Sequence, residues 1–105
     1  MQITYKQGDT IRHYVKLAYK GTGEPVNLEG CTAKSQMRKN KELVAEGAIA
    51  IDTANGLVSA TYTPQQTKVL EPGNYSFDIR MQSQGDVITL CTKQIKIIEP
   101  ETEME

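Results

Sequence analysis

Leu70-Glu71-Pro72-Gly73-Asn74-Tyr75-Ser76-Phe77-Asp78-Ile79-Arg80-Met81-Gln82 decides the fold. The stretch opens with a turn, Glu71-Pro72-Gly73-Asn74, and then alternates. Tyr75, Phe77, Ile79 and Met81 are apolar, while Ser76, Asp78, Arg80 and Gln82 are polar. A period of two places the apolar set on one face of a β-strand and the polar set in water. The only Phe and one of the five Tyr lie here, so this strand is predicted to run through the centre of the core.

The same alternation extends outward in both directions. Residues 3–6 read as a short first strand at a sheet edge, and Gly8-Asp9 turns the chain. Over residues 10–19, Ile11, His13, Val15, Leu17 and Tyr19 share one face, with Arg12, Tyr14 and Lys16 on the other. Residues 20–25 form a Gly- and Pro-bearing loop, and residues 26–30 a short extended piece. From Cys31 the pattern returns, with Cys31, Ala33, Ser35 and Met37 on a small inner face. Arg38-Lys39-Asn40-Lys41 reads as a solvated basic hairpin tip. Residues 43–46 fit a brief strand or a helical turn, and residues 48–51 a short strand.

Asn55-Gly56 tolerates positive φ at both positions and is the strongest hairpin signal in the chain. The strand after it carries Val58, Ala60 and Tyr62 on one face. Thr63-Pro64-Gln65-Gln66 predicts the single helical turn: Thr63 caps, Pro64 fits the first position, and Gln66 completes a capping box. Val87, Thr89 and Cys91 share a parity with Ile95 and Ile97 in the last strand. Lys93 interrupts that row, which predicts a bulge or a sheet edge at residues 92–94. The domain is expected to span residues 1–98. Residues 99–105 carry four Glu and no Lys or Arg, and read as an acidic tail or linker stump.

Seven to eight short strands with turns between them and one short helical turn predict an all-β fold, an antiparallel β-sandwich. At 105 residues the chain fits one domain, able to bury a modest core without metal or disulfide staples. A formal net charge of −1 gives no general attraction to nucleic acid or an anionic membrane, so neither is expected as a partner. Lys34, Arg38, Lys39 and Lys41 do cluster, but Glu42 and Glu46 follow and no aromatic lies among them. Met1-Gln2-Ile3-Thr4 does not open a signal peptide and no apolar run reaches membrane-helix length, so synthesis in the cytoplasm is expected. On that expectation Cys31 and Cys91 are two reduced, buried thiols, although sixty residues of separation would also allow a bridge across two sheets.

Chemistry is sparse. His13, the only imidazole, shares its face with Ile11 and Val15 and is expected to be a structural residue bonded to backbone. There is no Gly-x-Ser-x-Gly elbow, phosphate-binding loop or dinucleotide glycine pattern, and Asp52, Asp78 and Asp86 fall on separate turns and strands. No catalysis, cofactor or metal is expected.

The spacing of Leu70, Gly73 and Tyr75 resembles the corner before a late strand in immunoglobulin-like sandwiches, where a Tyr hydroxyl bonds back to nearby backbone. A core Tyr after an ordinary turn is the plainer reading. The order of features also resembles a family. Gly8-Asp9-Thr10 precedes a long strand, and Gly23-Glu24-Pro25-Val26-Asn27-Leu28-Glu29-Gly30-Cys31 follows. Asp52 to Val58, Thr63-Pro64-Gln65-Gln66-Thr67, Gly73-Asn74-Tyr75 and Ile88-Thr89-Leu90 come next. The set is similar to the immunoglobulin-like domains of tailed-phage and prophage structural proteins, above all the N-terminal domain of baseplate upper proteins. The resemblance implies a non-catalytic tail or baseplate module working through protein–protein contacts. Its partners would be other phage structural proteins and, by ring assembly, its own copies. It would reside in the virion, or in the host cytoplasm when expressed from a prophage.

Under that reading the interface is a strand edge, residues 3–6 or 87–98, plus loops at one end. Ile3, Tyr5, Tyr14 and Lys39 are the candidate contact residues. The alternative is a carbohydrate or cell-surface ligand module using the loop tips at residues 20–25 and 38–42, with Tyr5, Tyr14 and Tyr19 as the aromatics and Tyr14 alone clearly outward.

Overall fold

The computed structural model of the protein describes residues 2–102. It is an all-β fold of seven strands and one short helix: β1 (Ile3–Lys6), β2 (Ile11–Lys16), β3 (Thr32–Lys39), β4 (Glu42–Asp52), β5 (Leu57–Tyr62), α1 (Pro64–Lys68), β6 (Gly73–Ser83) and β7 (Asp86–Ile98). The strand order is β1-β7-β6-β3-β4-β5-β2. Every pairing is antiparallel except β1 with β7, which is parallel. A parallel pair cannot close through a tight turn, and here nearly the whole domain separates the two strands.

The sheet folds over at β4. Gly47 is the last β4 residue to pair with β3, opposite Ser35, and Ala48 is the first to pair with β5, opposite Thr61. The segments read as uncertain structure at 43–46 and a short strand at 48–51 are therefore one 11-residue strand. A strand that changes layers needs small residues where the layers meet, and Ala45, Gly47 and Ala48 supply them.

The predicted inner face of β6 holds throughout: Tyr75, Phe77, Ile79 and Met81 are all buried. Met37, Ile95 and Ile97 from the same layer meet Ile11 and Tyr62 from the other, with Leu70 closing the end. A second cluster gathers Leu28, Val58, Ala60, Ile79 and Met81. Helix α1 has the predicted capping box. The Gln66 amide donates to Thr63 Oγ1 at 3.3 Å, and the Thr63 amide donates to Gln66 Oε1 at 2.8 Å. Buried Thr67 then ties the helix to the β1–β2 turn, accepting from the Gly8 amide and donating to the Asp9 carbonyl at 2.7 Å.

Two turns differ from expectation. At the hairpin between β4 and β5 only Gly56, not Asn55, has positive φ, and the loop is four residues long. Gly56 is required there by contact as well as torsion, because a Cβ would stand 2.4 Å from the Leu17 carbonyl oxygen. The two-residue turn with both φ positive lies instead at Asn40-Lys41, between β3 and β4. Arg38 Nη1 donates to the Lys41 carbonyl and holds that tip.

The last strand also differs. Its bulge is at Leu90: Cys91 pairs with Ile79 but Thr89 pairs with Arg80. The extra residue reverses the faces upstream, so Ile88 rather than Val87 or Thr89 lies opposite inward-facing Met81. Lys93 stays in the inner row, opposite Phe77. β7 ends at Ile98; of the acidic segment, Glu99 and Glu101 are exposed, and residues 103–105 lie outside the described residues.

Candidate functional site

The corner at Leu70–Tyr75 is built by the turn itself. Tyr75 Oη donates to the Glu71 carbonyl four residues earlier, at 2.6 Å. Leu70 is buried and its carbonyl accepts from Gln7 Nε2 at 2.7 Å, which joins the corner to the end of β1. Lys39 lies against the corner, not on a solvated tip: its ammonium sits 5.3 Å from the Tyr75 ring centre and 3.8 Å from the Glu71 carboxylate. Burial, with Glu71 adding to it, raises the Tyr75 pKa. Beside them is an open hollow of about 590 Å³, lined by Lys39, Glu42, Val44, Val69 and Tyr75 among others.

The candidate contact residues fall on different strands. Ile3 and Tyr5 lie on β1, at one end of the strand order, and Tyr14 on β2, at the other. Ile3 and Tyr14 are exposed, whereas Tyr5 is half-buried against the first core cluster. Tyr19 is as exposed as Tyr14, 55% against 58%, although its parity predicted the inner face. β2 ends at Lys16, so the alternation no longer orients residue 19.

The edge prediction divides in two. β1 covers β7 only from Ile95 to Ile98. Among the described residues, no strand pairs with the outer side of β7 from Asp86 to Gln94, and Val87 and Ile88 are about half exposed there. Such a row of unpaired amides and carbonyls is a template for another strand. The Leu90 bulge and inward Lys93 restrict which strand can dock.

Little else offers chemistry. His13 meets Phe77 edge-on, with ring centres 6.1 Å apart, instead of the expected backbone bond. Burial lowers its pKa, and Lys93 lowers it further. Cys31 and Cys91 are free and half-buried against the second cluster. They flank β6 from opposite sides, on β7 and just before β3. Two strand spacings put them about 10 Å apart or more, beyond disulfide reach. Burial raises the Cys91 pKa, which keeps it a thiol. Among the described residues no three His, Cys, Asp or Glu side chains gather to hold a metal ion. No helix there is long and apolar enough to cross a membrane.

No family model and no curated protein matches the sequence. Among solved structures, the chain is similar to the N-terminal domain of phage TP901-1 ORF48, at 16% sequence identity and a TM-score of 0.41. The match covers 96% of this chain and 86% of that one. A likeness this distant carries no argument about function, which rests on this chain's own residues.

Proposed function

We propose that the chain is a non-catalytic assembly module of a tailed-phage or prophage virion, acting in the tail or baseplate through protein–protein contacts. The observation that carries this reading is the open edge of β7 from Asp86 to Gln94, with Val87 and Ile88 exposed along it. The ordered turn signature of the sequence supports it. The Tyr75–Glu71 bond supports the immunoglobulin-like corner that belongs to the same reading. Its partners are other structural proteins of the particle and further copies of the chain. Its location is the virion, or the host cytoplasm when expressed from a prophage.

Co-expression with the genes that flank its own, followed by affinity capture on this chain, tests the reading. Recovery of a tail component supports it. A chain that captures none and stays monomeric at its highest soluble concentration overturns it. Exposed Tyr14 and Tyr19 favour a second reading, a carbohydrate-binding module. A glycan array tests that one directly, and an empty array removes it.

A further inference from the structure

A row of three shallow hollows follows β6 along the outer face of the sheet, with β3 on one side and β7 on the other. The first, about 330 Å³, is bordered by Lys34, Arg80, Gln82 and exposed Val87. The second, about 210 Å³, lies between Arg80 and Arg38, over Ser76, Asp78 and Thr92. The third, about 380 Å³, runs from Arg38 to Asn74, with Gln2 and Gln94 beside it. Arg80 borders the first two, and Arg38 and Ser76 border the last two, so the row continues from Gln82 to Asn74. Eight residues of strand make it about 26 Å long.

The cations of this row have no counter-ion: among the described residues the one ion pair is Lys39 with Glu71. Lys34 and Arg80 are exposed register partners, and like charges opposite each other on neighbouring strands work against the pairing. Arg38 is also exposed and is level with Ser76, four residues along β6 from Arg80. Its guanidinium donates to the Gln36 side-chain oxygen at 2.9 Å and to the Lys41 carbonyl at 3.1 Å. Two neutral acceptors fix its position and leave its charge unbalanced. Asp78, level with Gln36 and midway between the arginines, is half-buried and is the only carboxylate that borders the row. Positive, negative and positive charge therefore follow one another at two-residue steps, with the outer two levels about 13 Å apart. An extended peptide has the same spacing: side chains four residues apart share a face, and the one between them faces the same way. A nucleic-acid strand fits worse. It carries a charge at every step and would set a phosphate against Asp78. The aromatics that border the row, Tyr75 and Phe77, are buried and offer no base a stacking surface.

We propose that this row holds an extended acidic segment of a partner protein. Two carboxylates four residues apart sit on Arg80, beside Lys34, and on Arg38, with a neutral side chain over Asp78. This rests on the assembly reading above and names the chemistry of its partner. The first hollow ends at Val87, on the stretch of β7 whose edge is open, so the segment and the edge contact belong to one continuous surface.

An NMR titration of the full chain tests it. The probe is an end-capped seven-residue peptide of serine and threonine with Glu at positions two and six. At about 20 mM salt, amide signals of residues 34–38 and 76–80 shift and saturate, and about 0.5 M salt abolishes the shifts. A peptide of the same charge with Glu at positions two and five binds several-fold more weakly, because one carboxylate then faces away from the row. A third Glu at position four gives no tighter binding to the wild type, but does so to Asp78→Asn. Arg38→Gln with Arg80→Gln weakens the first peptide about tenfold, as expected for two exposed charge pairs, and the dispersion of the same spectra verifies that each variant is folded. The absence of a saturable shift overturns the proposal. So does equal binding of the two-and-five peptide, or of a seven-nucleotide oligothymidylate, either of which makes the face a general binder of polyanions. If affinity capture recovers a tail component while the peptide leaves the spectrum unmoved, this contact alone is overturned and the assembly reading stands.

Discussion

The hydroxyls of Ser35 and Tyr62 lie 2.7 Å apart in the buried space between the two layers, one from β3 and one from β5. Ser35 Oγ spends its single proton on the Asp78 carbonyl at 2.6 Å, so Tyr62 is the donor between the two hydroxyls. Burial is the main cause that pushes the Tyr62 pKa up to about 12. Tyr62→Phe removes one hydrogen bond and leaves Ser35 with its carbonyl partner, at a cost of about 1 kcal/mol. Ser35→Ala strands the Tyr62 hydroxyl and costs more, about 1–3 kcal/mol. Urea unfolding of both variants at neutral pH gives the ranking.

The same residue sets an alkaline limit. An unfolded Tyr loses its proton near pH 10, while folded Tyr62 holds its own up to about pH 12. Between those values the folded state binds more protons, so this contribution to stability falls as pH rises. The wild type is expected to lose more stability than Tyr62→Phe between pH 9 and pH 11, a range that spans the unfolded Tyr pKa and stays below the folded one. Equal losses in paired urea titrations count against the assignment.

Much of this fold is legible where local signals are long or chemically restrictive. β6 alternates from Tyr75 to Gln82 without a break, and Thr63-Pro64 with Gln66 has few uses other than starting a helix. What is illegible depends on register. The turn at Asn40-Lys41 puts a Lys at positive φ, which residue preference argues against. The Leu90 bulge follows from how β7 pairs with β6, and parity alone placed it three residues late. Lys34 and Arg80 stand 46 positions apart, and only the β3–β6 register brings them face to face.

Gly47 illustrates the same dependence. It looks like a strand weakness in sequence, yet a Cβ there would meet Tyr62 Cζ at 3.0 Å and Ser35 Cβ at 3.3 Å. The Tyr62 ring cannot swing aside without giving up its bond to Ser35. Gly47→Ala is expected to destabilise by about 1–3 kcal/mol through overpacking, despite the smaller backbone entropy loss. Combined with Tyr62→Phe its cost changes, because the ring is then free to move. A double-mutant cycle reads this coupling. Strict additivity would show that the ring is not the obstacle.

His13 makes acid the weak side of the fold. Its pKa is lowered by burial and by Lys93, so below pH 6.5 the unfolded chain takes up a proton more readily than the folded one. Stability therefore falls as pH drops from 6.5 toward the lowered value. His13→Gln removes that component. The urea midpoint of the wild type should fall further than that of the variant between pH 7 and pH 5. A histidine titration followed by NMR that gives an ordinary pKa would defeat the explanation.

Lys34 opposite Arg80 gives a prediction of unusual sign. Most surface substitutions leave stability nearly unchanged, but Lys34→Glu turns a like-charge cross-strand pair into an opposite one. The gain is about 0.2–1 kcal/mol, larger at low salt because both side chains are exposed. Arg80→Glu has the same logic from the other strand, while the double exchange restores like charges and cancels the gain. The expected order in thermal unfolding is therefore either single variant above the wild type, with the double variant level with it. A single variant less stable than the wild type would mean that Lys34 and Arg80 do not oppose each other.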